Sequence, residues 1–334
     1  MRSSAAIVIP SYGRPDLLRR TLQSLVDAQW PPSFTGVWVV ENGPQTGLQA
    51  LCQEFAARLP LQYVHEPQLG SSAARNAGAR ACQGEVILFL DNDVRVAPGA
   101  LTAYSRAFAD HPEAGAFGGP LRPDYETPPP AWLVGYLPWS AVGVDYGPDN
   151  RCMDEPLLLG GNHAVNREAL TQAGFFDPID AVGTRGGVGE ETRLQERILA
   201  AGRQLVYVAG APVWHHVPAS NCSPQWALGR VFRHGLTRGL LDPPRGRHRL
   251  AGAPIWAWLC WLRLTLRVCA RRLRGESLEN RFALEYERAE WAGVLTGCRR
   301  AGQDNVSQVS GTAARSAAPA TDGLYTNGRD NDTV

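Results

Sequence analysis

The sequence contains no lysine, since all 33 basic residues are arginine. This absence excludes three kinds of site that need a lysine amine: a Walker-A phosphate loop, a pyridoxal Schiff base and a lysine nucleophile. It also counts against a nucleotidyltransferase built on a glycine- and lysine-rich phosphate loop. The 32 acidic residues leave a net charge of +1, so no overall electrostatic field indicates a nucleic acid partner.

Cysteine pairs and long apolar runs are also missing. The seven cysteines are scattered and include no CxxC pair, which predicts neither a zinc site nor a disulfide framework. We expect reduced thiols, as in a cytoplasmic protein, and no signal peptide, because the N-terminal residues lead directly into a strand-like segment. The uncharged run at residues 251–262 is too short to span a bilayer.

Predicted strands and helices alternate from residue 5 to about residue 110. The strand candidates are Ala5–Pro10, Val37–Val40, Leu61–Val64 and Val86–Leu90. The helix candidates are Asp16–Ala28, Gly47–Leu59, Ser71–Ala81 and Pro98–Asp110. This order is typical of a parallel sheet with helices on both faces.

Residues 120–156 differ in character, because prolines interrupt regular structure throughout the segment. Aromatic residues lie among them, including Trp132, Tyr136, Trp139 and Tyr146. Such a segment is either a lid or binding loop, or a loop fixed to the domain by its aromatic side chains. Further helices are predicted at 167–173, 191–201 and 225–241, with a strand at 205–208.

The most informative motif is Asp91-Asn92-Asp93, which directly follows the apolar strand Val86–Leu90. Two carboxylates at the carboxyl end of a buried strand are suited to hold a hard divalent cation, which can in turn clamp a diphosphate. A polar turn that ends the strand and caps the next helix is the structural alternative. The motif alone therefore leaves both interpretations open.

Three other predicted strands also lead into polar or small residues, at Pro10–Arg14, Glu41–Gly43 and Gly70–Gly78. In an open α/β sheet, ligands bind at the carboxyl ends of the strands. Helix N-termini in such turns offer backbone N–H groups to anions. Helix capping explains each polar segment on its own. Four such segments at the ends of four consecutive strands, Asp91-Asn92-Asp93 included, indicate a binding site.

As an ordered set, these motifs resemble the family 2 glycosyltransferases, which have a GT-A fold: a Rossmann-like mixed α/β sheet flanked by helices. Four later segments also match the family in order: Leu159–Val165, Gly174–Asp177, Gly189–Leu194 and Val213–His215. The resemblance covers about residues 5–240. We therefore expect a GT-A domain over 1–240, a basic and aromatic helical extension over 241–300, and a disordered tail over 301–334.

The resemblance implies an inverting enzyme that transfers a sugar from a nucleotide-diphosphate donor to an acceptor hydroxyl, with Mg²⁺ or Mn²⁺ as cofactor. The implied setting is polysaccharide, glycolipid or glycoconjugate biosynthesis. The acceptor would be a saccharide, a lipid-linked compound or another hydroxyl compound, and no nucleic acid is expected. A nucleotidyltransferase and a non-catalytic sugar-nucleotide-binding protein remain as alternatives.

Carried over position by position, the resemblance gives each motif a role. The nucleotide would contact Pro10, Ser11, Tyr12, Arg14, Glu41, Arg75, Asn76, Asp91 and Asn92; the metal would contact Asp91, Asp93 and His215; and the acceptor would contact Gly160, Gly161 and Asn162. Glu190 and Glu191 are the catalytic candidates, and Glu191 is preferred as the general base, although the family usually has aspartate there. Two acids that stabilise a helix N-terminus are the structural alternative.

A basic and aromatic segment follows the GT-A region. Eight arginines and no acidic residue lie between Pro244 and Gly275. Four of them share one predicted helical face after three tryptophans: Arg263, Arg267, Arg271 and Arg274 follow Trp256, Trp258 and Trp261. This pattern is typical of a helix in an anionic membrane interface and predicts peripheral binding to the inner face of the plasma membrane. A helix docked on the domain with solvated arginines is the alternative.

Overall fold

The computed structural model describes residues 4–177 and 189–316. Its main sheet has eight strands in the order β3-β2-β1-β4-β9-β6-β10-β8, and a smaller sheet has the order β5-β11-β7. The strands are β1 (Ala5–Ser11), β2 (Phe34–Asn42), β3 (Leu61–Glu66), β4 (Val86–Leu90), β5 (Val94–Val96), β6 (Ala116–Gly118), β7 (Leu121–Tyr125), β8 (Arg151–Met153), β9 (Asn162–Asn166), β10 (Leu205–Tyr207), β11 (Val213–Val217), and the short pair β12 (Arg249–Leu250) and β13 (Ala253–Pro254).

Helices cover both faces of the main sheet. Over the described residues they are α1 (Pro15–Val26), α2 (Leu48–Phe55), α3 (Ser71–Ala81), α4 (Ala100–Asp110), α5 (Trp139–Val142), α6 (Arg167–Gln172), α7 (Glu190–Ala200), α8 (Pro224–Leu241), α9 (Ile255–Leu273) and α10 (Leu278–Ser316). Short 3₁₀ helices lie at Ala131–Tyr136 and Ala219–Cys222.

Strands β1 to β4 pair in parallel, as the alternating pattern predicted, and β6 and β10 are a second parallel pair. Strand β9 then runs antiparallel to both β4 and β6, which makes the sheet mixed. Along β1, Ile7 and Ile9 belong to the core beneath α1, α2 and α4, whereas Ala6 and Val8 belong to the core beneath α3 and α7. Both faces are therefore buried, and the carboxyl ends of β1, β2 and β4 open at one edge.

The segment 120–156 is largely fixed to the body of the protein. Trp132 and Tyr136 pack edge-on against Phe282 of α10, with ring centroids 5.2 and 4.9 Å apart. Tyr146 contacts Tyr207 of β10 at 5.2 Å. Trp139 differs, because it is 49% exposed. The aromatic anchors therefore explain most of this segment, and Trp139 remains available at its surface.

Helices α8 and α10 pack with their backbones in contact because glycines face each other at the crossing. Gly235 and Gly239 lie one turn apart on α8, and Gly293 and Gly297 lie one turn apart on α10. A methyl group on any of the four would overlap backbone atoms of the opposite helix. Small residues permit this close approach. The predicted boundary at residue 240 therefore falls beside a tightly packed helix pair.

Helix α10 continues to Ser316. The disordered tail expected over 301–334 stays a prediction, since α10 includes residues 301–316 and residues 317–334 lie outside the described residues. The preceding helix, α9, buries Ala257, Leu264 and Val268. None of the described helices combines the length and hydropathy needed to cross a membrane.

Candidate active site

A cleft of about 500 Å³ lies at the carboxyl edge of β1, β2 and β4. It brings together seven of the nine predicted nucleotide contacts: Pro10, Ser11, Tyr12, Arg14, Arg75, Asp91 and Asn92. Its lining also includes Asn42, Leu69, Gly70, Ser71, Ala74, Asp93 and Glu190. Asn92 Nδ2 donates a hydrogen bond to Ser11 Oγ at 2.8 Å, which ties the end of β4 to the end of β1. We refer to this space as the donor cleft, after the predicted contacts to the nucleotide donor that line it.

Arg75 connects the Asp91-Asn92-Asp93 motif to the start of α7. Its guanidinium is buried and donates to Asp91 Oδ1 at 3.1 Å and to Glu190 Oε1 at 2.8 Å. Burial opposes the charged form, but the carboxylates of Asp91, Glu190 and Glu191 together raise the pKa of Arg75. Arg75 therefore remains a cation and holds two segments of the site that are far apart in sequence.

Gly160 and Gly161 lie between the two acidic parts of the site. A methyl group on Gly160 would lie 3.0 Å from a carboxylate oxygen of Glu191, and one on Gly161 would lie 2.9 Å from Asp91 Oδ2. These predicted acceptor-site glycines thus lie directly beside the two carboxylates, Gly160 beside Glu191 and Gly161 beside Asp91. Because they carry no side chain, the loop before β9 can pass directly between Glu191 and Asp91.

The two glutamates at the start of α7 have different environments. Burial, followed by the charge of Glu190, raises the pKa of Glu191 to about 7, although Arg75 acts in the opposite direction. Glu190 is 4% exposed, and its Oε1 accepts hydrogen bonds from both Arg75 and Ser71. A carboxylate that titrates near neutral pH is suited to general base catalysis. This difference favours Glu191 as the base and Glu190 as the residue that positions Arg75.

Asp91, Asp93 and His215 form a candidate metal centre. Each offers one ligand atom, and these atoms lie within 4.8 Å of one another. The pairing of β11 with β5 brings His215 opposite Val94, next to Asp93. Asp93 Oδ1 and His215 Nδ1 are buried without a hydrogen-bond partner among the described residues. Two carboxylates, an imidazole and the unsatisfied buried oxygen of Asp93 fit a divalent cation.

His163 is a site residue that the sequence did not reveal. Its ring is 1% exposed, stacks on Phe89 of β4 at 5.2 Å, and places Nδ1 2.8 Å from the carbonyl oxygen of Gly160. Burial, followed by the charge of Arg75, lowers the pKa of His163 to about 3. The neutral imidazole therefore donates to Gly160 and fixes the loop that touches Glu191. The sequence signal that could have identified His163 as a site residue is its position directly after the Gly160–Asn162 motif.

The side chains of three residues predicted to contact ligands form hydrogen bonds within the protein. The carboxylate of Glu41 accepts hydrogen bonds from the Thr46 backbone and hydroxyl and from the Tyr63 hydroxyl. Asn76 exchanges two hydrogen bonds with the backbone of Phe176, and the fully buried amide of Asn162 bonds to Tyr104, Pro120 and Ala211. Asn76 and Asn162 therefore stabilise the site from behind, and Glu41 fixes the turn after β2.

A second cleft, of about 780 Å³, lies on the other side of the start of α7. Its lining comes from α5, α7, α8 and neighbouring loops, and consists of Leu137, Pro138, Trp139, Ser140, Leu159, Gly189, Glu191, Thr192, Arg193, Glu196, Arg230, His234, Thr237, Arg238 and Asp242. Glu190 faces the donor cleft and Glu191 faces this one. The two adjacent acids thus lie at the junction of two spaces. We refer to the larger space as the second cleft.

Residues 6–174 match the family model described as Glycosyl transferase family 2. Succinoglycan biosynthesis protein ExoM from Rhizobium meliloti (strain 1021) is 29% identical over 244 residues, which cover 70% of this chain and 74% of that protein. O-antigen biosynthesis protein RfbC from Myxococcus xanthus is 25% identical over 227 residues, which cover 65% of this chain but only 17% of that protein.

A solved structure shares the overall fold. It is described as mannosyltransferase PcManGT from Pyrobaculum calidifontis in complex with GDP-Man and Mn2+. The superposition has a TM-score of 0.51 at 16% sequence identity, and it covers 95% of this chain and 81% of that one. At this identity the likeness concerns the fold of the chain.

Proposed function

The chain belongs to glycosyltransferase family 2 and has the GT-A fold, and from this premise we propose that it is an inverting, metal-dependent sugar transferase. The donor would be a nucleotide diphosphosugar in the donor cleft, and the acceptor a hydroxyl compound in the second cleft. One observation carries the proposal. A glutamate with a pKa raised to about 7 and the Asp91 carboxylate flank the same pair of glycines, at the junction of the two clefts.

In this proposal Glu191 accepts the proton of the acceptor hydroxyl while the hydroxyl oxygen attacks the anomeric carbon. The new bond forms on the face opposite the diphosphate, and the bond between the anomeric carbon and the diphosphate oxygen breaks with its electron pair. The configuration at that carbon is therefore inverted. Because Glu191 lines the second cleft, its carboxylate is available to a hydroxyl there. His163 and the two glycines keep that carboxylate in place.

The proposed cation, Mg²⁺ or Mn²⁺, would be held by Asp91, Asp93 and His215 and would neutralise charge on the leaving diphosphate. Arg75 orients Asp91 from within the protein, and Asn92 holds the motif against Ser11. These hydrogen bonds hold Asp91 and Asn92 in position before any ligand binds, as electrostatic stabilisation of a leaving group requires.

The second cleft suits a hydroxyl-rich acceptor. Trp139 offers an exposed aromatic face at its wall, and Ser140 and Thr192 add hydroxyl groups. Aromatic faces with a few placed polar groups are typical of small-molecule sites. We propose that a saccharide portion of the acceptor binds against Trp139 with one hydroxyl directed to Glu191.

The function is tested with purified protein, a panel of sugar nucleotides, and Mn²⁺ or Mg²⁺, by measuring release of nucleoside diphosphate. We expect release that EDTA abolishes and added Mn²⁺ or Mg²⁺ restores. Asp93→Asn removes one ligand charge and should lower the rate by about 100-fold, since several kcal/mol of charge stabilisation depend on the cation. Full activity of this variant would contradict the assigned metal centre.

The same assay separates the two alternatives. A nucleotidyltransferase would release pyrophosphate from a nucleoside triphosphate and a sugar phosphate, with no nucleoside diphosphate formed. A binding protein would give heat on titration with a sugar nucleotide but no product. Asp110→Asn, at the exposed end of α4, is the matched control and should retain the wild-type rate.

We further propose that α9 binds an anionic membrane surface. Opposite its buried side, α9 exposes large apolar residues spaced four, three, four and seven positions apart: Ile255, Leu259, Leu262, Leu266 and Leu273. Among the described residues, Arg263, Arg267 and Arg274 beside this stripe have no ion-pair partner. An apolar stripe flanked by unpaired arginines suits insertion at the headgroup level.

The tryptophans contribute less to this surface than the sequence pattern predicted. Trp258 and Trp261 are partly buried and pack against the cluster that contains Val294 and Leu295 of α10. Trp256 is 44% exposed, and its indole N–H donates to the Arg245 carbonyl. The lipid contact proposed here is therefore mainly aliphatic.

Flotation with liposomes tests the membrane proposal. We expect the protein to float with vesicles containing phosphatidylglycerol at low salt, less at 1 M salt where charges are screened, and not with purely zwitterionic vesicles. Leu262→Glu combined with Leu266→Glu should abolish flotation, whereas Val134→Glu, an exposed apolar site outside the stripe, should not. A wild-type protein that forms a stable dimer and does not float would mean that the stripe binds a second copy instead.

A further inference from the structure

Each aspartate of the Asp91-Asn92-Asp93 motif holds an arginine, but the two arginines are fixed to different degrees. Arg75 is 5% exposed and is bound by both Asp91 and Glu190. The Arg14 side chain is 56% exposed, and its ion-pair partner among the described residues is Asp93 alone, at 2.9 Å. Because the Arg14 guanidinium is largely solvated and has one partner, its pair with Asp93 is weaker than the two buried pairs of Arg75. Arg14 can therefore leave its aspartate readily, whereas Arg75 cannot.

The backbone of Arg14 is unusual. Its φ of 54° and ψ of 55° lie in the left-handed region, which is uncommon for a residue with a side chain. The residue lies between Gly13 and Pro15, at the N-cap of α1, and its side chain makes no capping hydrogen bond. Strained backbone of this kind concentrates at binding sites. Here it accompanies a guanidinium that reaches Asp93 from the wall of the donor cleft.

Arg14 occupies part of the candidate metal centre. Its guanidinium is bound to Asp93 Oδ2, while Oδ1 of the same carboxylate faces His215 Nε2 at 3.4 Å. A divalent cation held by Asp93 would repel this guanidinium. A diphosphate in the donor cleft would offer the guanidinium a more highly charged partner with matching geometry. The Arg14 side chain thus competes with the divalent cation for Asp93 and attracts the diphosphate.

We propose that Arg14 is an exchangeable counter-ion: it neutralises Asp93 in the free protein and moves to the diphosphate when the cation and donor bind. Arg14 thereby couples metal binding to diphosphate binding, in addition to any direct contact between the two ligands. The inference rests on the proposed function and names the residue that links its two ligands.

The test measures Mn²⁺ affinity from the electron paramagnetic resonance signal of free Mn²⁺, with and without pyrophosphate as a base-independent probe, after subtraction of the Mn²⁺ that pyrophosphate binds in protein-free solution. Arg14→Gln should bind Mn²⁺ alone about five-fold more tightly than the wild type, because the competing cation is gone. Pyrophosphate should then strengthen Mn²⁺ binding by a factor about five-fold smaller than in the wild type, as linkage between the sites requires.

Two further variants make the result specific. Arg14→Gly removes the guanidinium and accepts the left-handed backbone without strain, so it should show the same gain in Mn²⁺ affinity in a stably folded protein. Arg19→Gln removes an exposed arginine of the same helix, one paired with Glu54, and should change nothing. If neither Arg14 variant binds Mn²⁺ alone more tightly than the wild type, the counter-ion role is wrong. Failure of the proposed function looks different: pyrophosphate then leaves every Mn²⁺ affinity unchanged, while the gain with Mn²⁺ alone persists.

Discussion

Glu191→Gln is expected to lower kcat for sugar transfer by about 1,000-fold, within the range that a positioned general base contributes. The amide cannot accept the acceptor proton, yet it has nearly the size of the carboxylate and preserves the contact with Gly160. Affinities for Mn²⁺ and for the sugar nucleotide should therefore stay within about two-fold of the wild type. Single-turnover kinetics and calorimetry measure the two quantities separately. Equal losses in rate and in donor affinity would place Glu191 in the donor site and not at the acceptor.

The pH profile distinguishes Glu191 from its neighbour. Only the ionised carboxylate accepts a proton, so kcat/KM should rise about ten-fold per pH unit below the pKa, which is raised to about 7, and level off above it. Glu190→Gln removes a negative charge that raises this pKa, so the midpoint should move to lower pH. Glu191→Asp keeps a carboxylate base but moves it about one bond length away from the acceptor. We expect a rate between those of the wild type and Glu191→Gln, with the pH profile retained. An unchanged midpoint in Glu190→Gln would contradict the coupling of the two acids.

The second large effect is expected on stability. Arg75→Met leaves Asp91, Glu190 and Glu191 without their shared cation, and breaking a buried pair from one side typically costs about 3–5 kcal/mol. Unfolding by urea, followed by circular dichroism, measures this loss. The loss should be greatest at alkaline pH and shrink as pH falls, because Arg75 lowers the pKa of Glu191 and its removal leaves a carboxylate that folds more readily when protonated.

Arg167→Met provides the matched control. Arg167 is also partly buried, but its guanidinium donates to the carbonyl oxygens of Ala79, Cys82 and Gly84 and to no carboxylate among the described residues. Its loss should destabilise the protein to a similar extent at every pH. A loss in Arg75→Met that is equally independent of pH would show that Arg75 acts by packing alone.

Much of this architecture was accessible from the sequence, because the signals were local. The apolar run Val86–Leu90 predicted a strand buried on both faces, and the acids that follow it predicted an oxygen-rich site at its end. The same logic located β1, β2 and β3. The strands β6 and β8 were not predicted, since each has only three residues and is defined by its neighbours in the sheet, whereas the predicted strand at 205–208 matches β10.

The internal hydrogen bonds of two predicted site residues could not be read from the sequence. Asn162 belongs to a motif that the family resemblance associates with the acceptor, but its amide bonds to Pro120 and Ala211, 42 and 49 residues away. Glu41 is held by Tyr63 of the adjacent strand, which a one-dimensional pattern does not place beside it. Polar side chains that satisfy distant backbone groups look, in sequence, like ligand contacts. Only the topology of the fold distinguishes polar side chains that bond internally from those that contact a ligand.

The glycine contact between α8 and α10 has a geometric consequence for acceptor use. Helix α9 packs on α10, α10 lies against α8, and α8 forms one wall of the second cleft. Because the backbones of α8 and α10 are in contact, the two helices have little freedom to rotate or slide. The distance from the leucine stripe of α9 to Glu191 is therefore fixed. Under the membrane proposal, this fixed distance selects acceptors whose reactive hydroxyl lies at one height above the bilayer, irrespective of the sugar between that hydroxyl and the bilayer.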